Sequence, residues 1–383
     1  MFSSTLTTNI SSAREGDRPK AVSSFQLVCM TFVIGLGLNM LNLPALLVME
    51  GGRDGWITML ILSVFDCAAL YCTLAVMDYL KKGNFNGKAY RVLKIIFGVV
   101  LFLWTLCKLM LLVGEARLFF GKTVFDNLDW LVFLGLLCGL SAILGGGGAR
   151  GLGRLCELLL PIAVVTVIVI VLTAFSGDID YGNVFPILHN NGAALKSPLK
   201  FALWTGNYPI LFGFFRNVEF KKHTKLFSVS AAAASGALAT ALTFALSAAY
   251  GSVTQLIYYG NNAADMNQYV SNYNFGRIDL IVFTVWSVVL LVETGLFQHC
   301  CARALSGIIG IKKPWLYSWL SALAVYILMH TVAPCDVRLF NFATVYAAPL
   351  AIGVQILPFV VAAVCLVVWG VKRIREGKNG DKA

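Results

Sequence analysis

Two stretches in an otherwise oily chain hold the residues best suited to gripping a small solute. Gly35-Leu36-Gly37-Leu38-Asn39-Met40-Leu41-Asn42-Leu43-Pro44 and Trp204-Thr205-Gly206-Asn207-Tyr208-Pro209 each set Asn two residues before Pro. Glycine costs backbone order, and proline removes a donor and clashes with the preceding turn, so both stretches predict local unwinding. Inside a bilayer, unwound backbone is tolerated only where it is buried in protein or lines a polar cavity. The chemistry that follows is recognition rather than bond making. Positive helix ends face an anionic group such as an amino acid carboxylate, while freed carbonyls and side-chain amides take an ammonium. The candidate binding residues are Gly35, Gly37, Asn39 and Asn42 on the first stretch and Thr205, Gly206, Asn207 and Tyr208 on the second, with Phe201 and Trp204 as an apolar wall. Buried amides also serve interhelical hydrogen bonding, and proline kinks are relieved by neighbouring helices, so an architectural use stays open.

Ionisable residues at membrane depth form the second group, because their desolvation costs a few kcal/mol or more. Glu293, in Val292-Glu293-Thr294-Gly295, is the candidate ion-coupling residue. It would alternate between protonated and ion-paired states, or hold Na+ with Thr294, Ser287 and backbone carbonyls of the first stretch, which leaves H+ and Na+ both open. A structural ion pair, or a carboxyl kept neutral by burial, is its other use. Lys108, Glu115 and Arg117 share one apolar stretch and Asp66 lies in another. Lys108 and Glu115 are two helical turns apart on one face, which suggests a structural or gating cluster with Lys108 and Asp66 paired across helices. The run Gly145 to Gly153 lacks the Lys-Ser/Thr of a phosphate loop and reads as a flexible connection. His189, His223, His299 and His330 are scattered, so no metal site is expected. No catalytic constellation stands out, so the chain reads as a non-enzyme without a cofactor.

These residues must be positioned by membrane-spanning helices. Hydrophobic residues make up 58% of the chain and charged ones 13%, which excludes an ordinary soluble domain. A span needs about 20 residues, and ten apolar stretches follow one another, at approximately Phe25–Met49, Trp56–Leu80, Leu93–Phe120, Leu131–Leu144, Leu155–Phe175, Phe201–Phe215, Leu226–Tyr250, Ile278–Leu305, Trp315–Thr331 and Phe340–Val371; the fourth and ninth are short and the sixth short and broken, which leaves nine or eleven spans open. The first is too long for the core of a signal peptide. With the N-terminus inside, most of the 30 Lys and Arg residues fall in inner segments, among them Lys81, Lys82, Arg216, Lys221, Lys222 and Lys225. The net charge of +11 therefore needs no nucleic acid. Both termini are expected to be cytoplasmic, with a polar tail at 1–22, one transmembrane domain at 23–371 and a basic tail at 372–383. The long connections Ser176–Leu199 and Gly251–Arg277 are candidate lids. Most of the ten cysteines lie in apolar runs and read as small core hydrophobes.

Several short motifs resemble one family. They are Val22-Ser23-Ser24-Phe25-Gln26, Gly52-Arg53-Asp54-Gly55-Trp56-Ile57, Arg154-Leu155-Cys156-Glu157-Leu158-Leu159-Leu160-Pro161, and Phe275-Gly276-Arg277-Ile278-Asp279 followed by Trp286. Together they are similar to the spore germination permeases, the B subunits of germinant receptors within the amino acid, polyamine and organocation transporter superfamily. The resemblance implies an all-α integral membrane fold of ten transmembrane helices. These form a 5+5 inverted repeat, about 23–175 and 199–371, with broken first and sixth helices. It also implies that the eighth helix, with Glu293, faces the first near a coupling-cation site, that the host is the inner membrane, and that receptor subunits of A and C type are partners. The expected function is an amino-acid-type permease or germinant-sensing subunit. The alternative is a non-transporting scaffold subunit of a receptor complex.

Overall fold

A computed structural model of the chain describes residues 22–82, 88–123, 130–176, 180–185, 187, 191–215, 217–250, 278–310 and 313–380. The polar tail before residue 22 and the candidate lid at 251–277 lie outside them. Among the described residues the fold is all helix, with one isolated bridge between Val22 and Val218.

The helices are α1 (Ser24–Leu41), α2 (Leu43–Gly51), α3 (Gly55–Lys82), α4 (Lys88–Thr123), α5 (Trp130–Gly146) and α6 (Ala149–Ser176). They continue with α7 (Asn191–Lys200), α8 (Thr224–Tyr250), α9 (Ile278–Ile309), α10 (Pro314–Thr331), α11 (Asp336–Asn341) and α12 (Ala348–Gly380). Local chemistry sets their ends. Ser23 caps α1 reciprocally: its hydroxyl accepts from the Gln26 N–H at 3.2 Å, and its own N–H donates to Gln26 Oε1 at 3.1 Å. Pro44 and Pro314 sit in the first turns of α2 and α10, where a missing N–H costs nothing. Gly52, at φ +58°, reverses the chain between α2 and α3.

Among the described residues, six segments are long and apolar enough to cross a membrane: Leu43–Lys81, Val92–Phe120, Ala149–Leu172, Thr224–Ala249, Phe283–Ile309 and Ala348–Leu366. A seventh is added if Pro314–Thr331 and Asp336–Tyr346, bent by 113° from each other, are one span. Ser24–Gly37 and Trp130–Gly146 are shorter apolar helices. The sixth expected span departs most from a continuous helix. Residues counted as connection form α7, which carries Lys196 and Lys200 and so lacks an apolar signal, whereas Phe201 to Asn207 is not helical and leads into a 3₁₀ turn, Tyr208–Phe214. The glycine run at 145–153 is likewise no loose connection. It closes α5, turns at Gly147 and Gly148, and opens α6, because Gly145 must pack against α9: a Cβ there would lie 2.7 Å from Gln298 Cγ.

At the centre stands α9, with 78% of its most apolar window buried, against 22% for α12. Its Glu293, Thr294, Gln298 and His299 are therefore buried in protein. It packs on α4, α5, α6 and α10, while α1 and α3 pack on α8. Gly213 of the 3₁₀ turn abuts α9 so closely that a Cβ would stand 2.8 Å from Cys300 Cα. Backbone cannot yield as a side chain does. Gly213→Val is therefore expected to lower stability by about 1–3 kcal/mol, read as a lower melting temperature of the purified protein in detergent; an unchanged melting temperature would refute this packing.

Candidate functional site

The site is built where the backbone leaves the helix between α7 and the 3₁₀ turn. Gly206 adopts φ +66°, and Pro209 has no N–H to continue a helical ladder. The polar groups thereby freed are taken up by side chains from three other helices. Gln355 of α12 donates to Ala202 O at 2.6 Å and to Thr205 O at 3.1 Å. Lys108 of α4, fully buried, donates to Thr205 O at 2.7 Å and to Asn207 Oδ1. Asp66 of α3 accepts the Gly206 N–H through both carboxylate oxygens, at 3.1 and 3.4 Å. Hydrogen bonds to charged groups contribute about 1.5–3 kcal/mol each, so these contacts hold an otherwise costly segment in place.

The first break is much smaller. Helix α1 stays wound through Leu41, and only Asn42 interrupts the path into α2. Gly35 and Gly37 do not mark unwound chain, contrary to expectation; they permit close approach. A Cβ on Gly37 would coincide with the Glu293 carboxylate, and one on Gly35 would strike Ser235 Oγ and come within 2.8 Å of the Tyr208 hydroxyl. Asn42 Nδ2 donates to Glu115 Oε2, and Trp204 Nε1 donates to Glu115 Oε1 at 2.9 Å. One buried carboxylate on α4 thus ties the two breaks together. Asn207 adds a long contact from its Nδ2 to Ile34 O at 3.5 Å.

The outlying ends are tied as well. Lys200, ending α7, pairs with Glu50 of α2 at 2.5 Å. At the opposite end Val22 N donates to Asn217 O at 2.6 Å, Glu219 N donates to Val22 O at 3.1 Å, and Ser24 Oγ donates to Glu219 O at 2.9 Å.

Between α1, α3, α8 and the irregular segment lies a small cavity, about 10 Å³ for the centre of a water molecule, which is room for roughly one water. Asn39, Thr205 and Tyr208 line it together with Asp66, Ser63 and Ser235, and Met59, Leu62 and Ala232 supply its apolar surface. Asn39 Oδ1 and Thr205 Oγ1 are buried without a hydrogen-bond partner among the described residues. Phe201 and Trp204 do not form the wall of this cavity. They cluster with Phe340, at centroid distances of 6.3 and 6.1 Å, on the Glu115 side. Gly206 contributes backbone alone. Glu293 faces Gly37 and is fully buried, with Thr294 beside it donating to Leu290 O at 2.5 Å. Ser287 does not join them. It lies about 9 Å along α9 on a different face, and its hydroxyl donates to Phe283 O.

Lys108 and Asp66 are not directly paired; each holds a neighbouring backbone group of residues 205 and 206. Arg117 leaves the cluster, lying 4.2 Å over the Trp130 ring and bonding Pro334 O at 3.2 Å. Gln355, Ser63 and Ser235 went unrecognised in the sequence. A lone amide in an apolar helix was the available signal for Gln355, while serines bonded to their own helix give none. Among the described residues no group of three His, Cys, Asp or Glu side chains is placed to hold a metal ion.

A helical membrane protein with a broken segment wrapped by buried polar side chains, and a cavity at the break, has the build of a permease or membrane receptor. The chain belongs to the spore germination protein family, whose model matches residues 21–337. That family is of transporter or receptor type. No curated protein matches the chain.

Removing the tie between the breaks should be costly. Glu115→Ala leaves Asn42 and Trp204 without their acceptor and is expected to lose about 3 kcal/mol or more, seen as a lower melting temperature. Glu115→Gln, which keeps one carbonyl oxygen, should lose roughly half as much; equal stability of Glu115→Ala and the parent would exclude this role.

Proposed function

We propose that the chain binds a small polar solute of amino-acid type where α1 meets residues 201–207, and that it serves as a permease or a germinant-sensing subunit. The observation that carries this reading is the pair of buried oxygens without partners, Asn39 Oδ1 and Thr205 Oγ1, facing one cavity at the break. Buried polar atoms nearly always find a partner in protein or ordered water, so two exceptions lining one hollow mark a place that receives a polar guest, a water at rest and a solute when the walls part. The cavity is too small for an amino acid as it stands, so binding requires its walls to part. The paired ties at both ends of α1–α2 and of the broken segment favour their moving together. In this reading ten spans form a 5+5 inverted repeat with both termini cytoplasmic, and the long span-like run Leu43–Lys81 divides at Gly52. Glu293, against Gly37, is the coupling group for H+ or Na+, with Thr294 beside it. Receptor subunits of A and C type are partners on the strength of the family alone.

Asn207→Ala removes a side chain that joins Lys108 to the α1 backbone. It is expected to abolish ligand-dependent thermal shifts across a panel of amino acids, nucleosides and sugars while the protein still reaches the membrane. Unchanged binding would count against the site. Glu293→Gln should abolish pH- or Na+-dependence of uptake in proteoliposomes, and full cation dependence in that variant would reject the coupling role.

A further inference from the structure

We infer that the cavity at the break receives the ammonium end of its solute, and that Asp66 is the group that selects it. This rests on the solute-binding reading above and adds the chemical class and the orientation.

The donor that the break sets free is the Gly206 N–H. An exposed N–H beside a helix break is the usual seat for an anion. Here the Gly206 N–H is already occupied by the Asp66 carboxylate, through both oxygens. A solute carboxylate arriving at this point meets a like charge where it would need a donor. The remaining polar lining offers several acceptors alongside the donors of Asn39, Thr205 and Tyr208. Ser63 spends its hydroxyl proton on Met59 O at 2.8 Å or Gly236 O at 3.3 Å, and Ser235 spends its proton on Ala232 O at 2.9 Å, so both offer lone pairs. Asn39 Oδ1 and Thr205 Oγ1 stand ready to accept.

The buried cation nearest Asp66 is committed elsewhere. Lys108 is the one buried Lys or Arg among the described residues. Its ammonium is bonded to Thr205 O and Asn207 Oδ1, and it does not line the cavity. An incoming ammonium supplies beside Asp66 the positive charge that the cavity lining itself lacks, and its size is close to that of the single water the cavity admits. A metal ion would use the oxygens equally well. The alkyl surfaces of Met59, Leu62 and Ala232 in the same lining offer it nothing, but they suit the carbon chain of an amine.

The test uses the purified full chain in detergent and four probes: L-alanine, L-alaninol, sodium propionate, and NaCl compared with KCl. L-Alaninol and L-alanine should raise the melting temperature, and propionate and NaCl should not. Asp66→Asn should weaken L-alaninol binding roughly tenfold or more, the scale of a lost charge-assisted hydrogen bond, while Ser63→Ala should weaken it less. The probe panel on the unaltered chain stands even if Asp66→Asn fails to fold. Stabilisation by propionate without L-alaninol would overturn the assignment in favour of an anion seat, and stabilisation by NaCl alone would overturn it in favour of a metal-ion site; a solute site would survive the first result. Absence of any shift would overturn it too, and nucleosides or sugars that still stabilise the chain would show that only the ammonium assignment had failed.

Discussion

Backbone groups between Phe201 and Asn207 have left their helix in a region with little water to receive them, and the rest of the site follows from satisfying them. Each unsatisfied amide or carbonyl in such surroundings would cost several kcal/mol. The chain meets this demand with Asp66, Lys108 and Gln355, drawn from α3, α4 and α12, so three helices are fixed in position by their grip on one short segment. Charged side chains that would be costly alone become structural because a main-chain partner waits for each of them. The same groups then furnish the polarity of the adjoining cavity, so architecture and recognition share their atoms.

Close packing supplies the second layer. Gly35, Gly37, Gly145 and Gly213 each stand where a single carbon atom would collide with a neighbouring helix. Their combined effect is to bring α1, α5 and the 3₁₀ turn onto α8 and α9 at backbone distance. Small residues at helix contacts are the expected means of association in lipid, where apolar side chains gain little by leaving the bilayer for each other. Glu293 owes its position to this layer, since only the bare Cα of Gly37 leaves space for its carboxylate.

How much of this was legible in the sequence depended on how local the cause was. The break at 201–207 is local, written in Gly206 and Pro209, and it was read correctly as irregular, though its helical lead-in α7 was not, because Lys196 and Lys200 dilute the apolar signal. The break at Asn42 was also visible, but Gly35 and Gly37 were credited with unwinding when they serve packing. Glycine has both uses, and only the neighbouring helix decides between them. Asp66, Lys108 and Glu115 were noticed as charges in oily stretches, yet their true partners are main-chain atoms and amides far along the chain, which no spacing rule foretells. The apolar wall was misplaced for the same reason: Trp204 turns toward Glu115 and Phe340, a choice made by tertiary contacts.

The pairing of Val22 with residues 217–219 carries a mechanical consequence. It is a stitch of main-chain hydrogen bonds, so it depends little on which side chains flank it, and displacement of the backbone disturbs it more than substitution does. Tension on the chain just ahead of α1 is delivered directly to the foot of the 3₁₀ turn, and through that turn to Gly206. The residues that lead into α1 are thus a handle on the irregular centre.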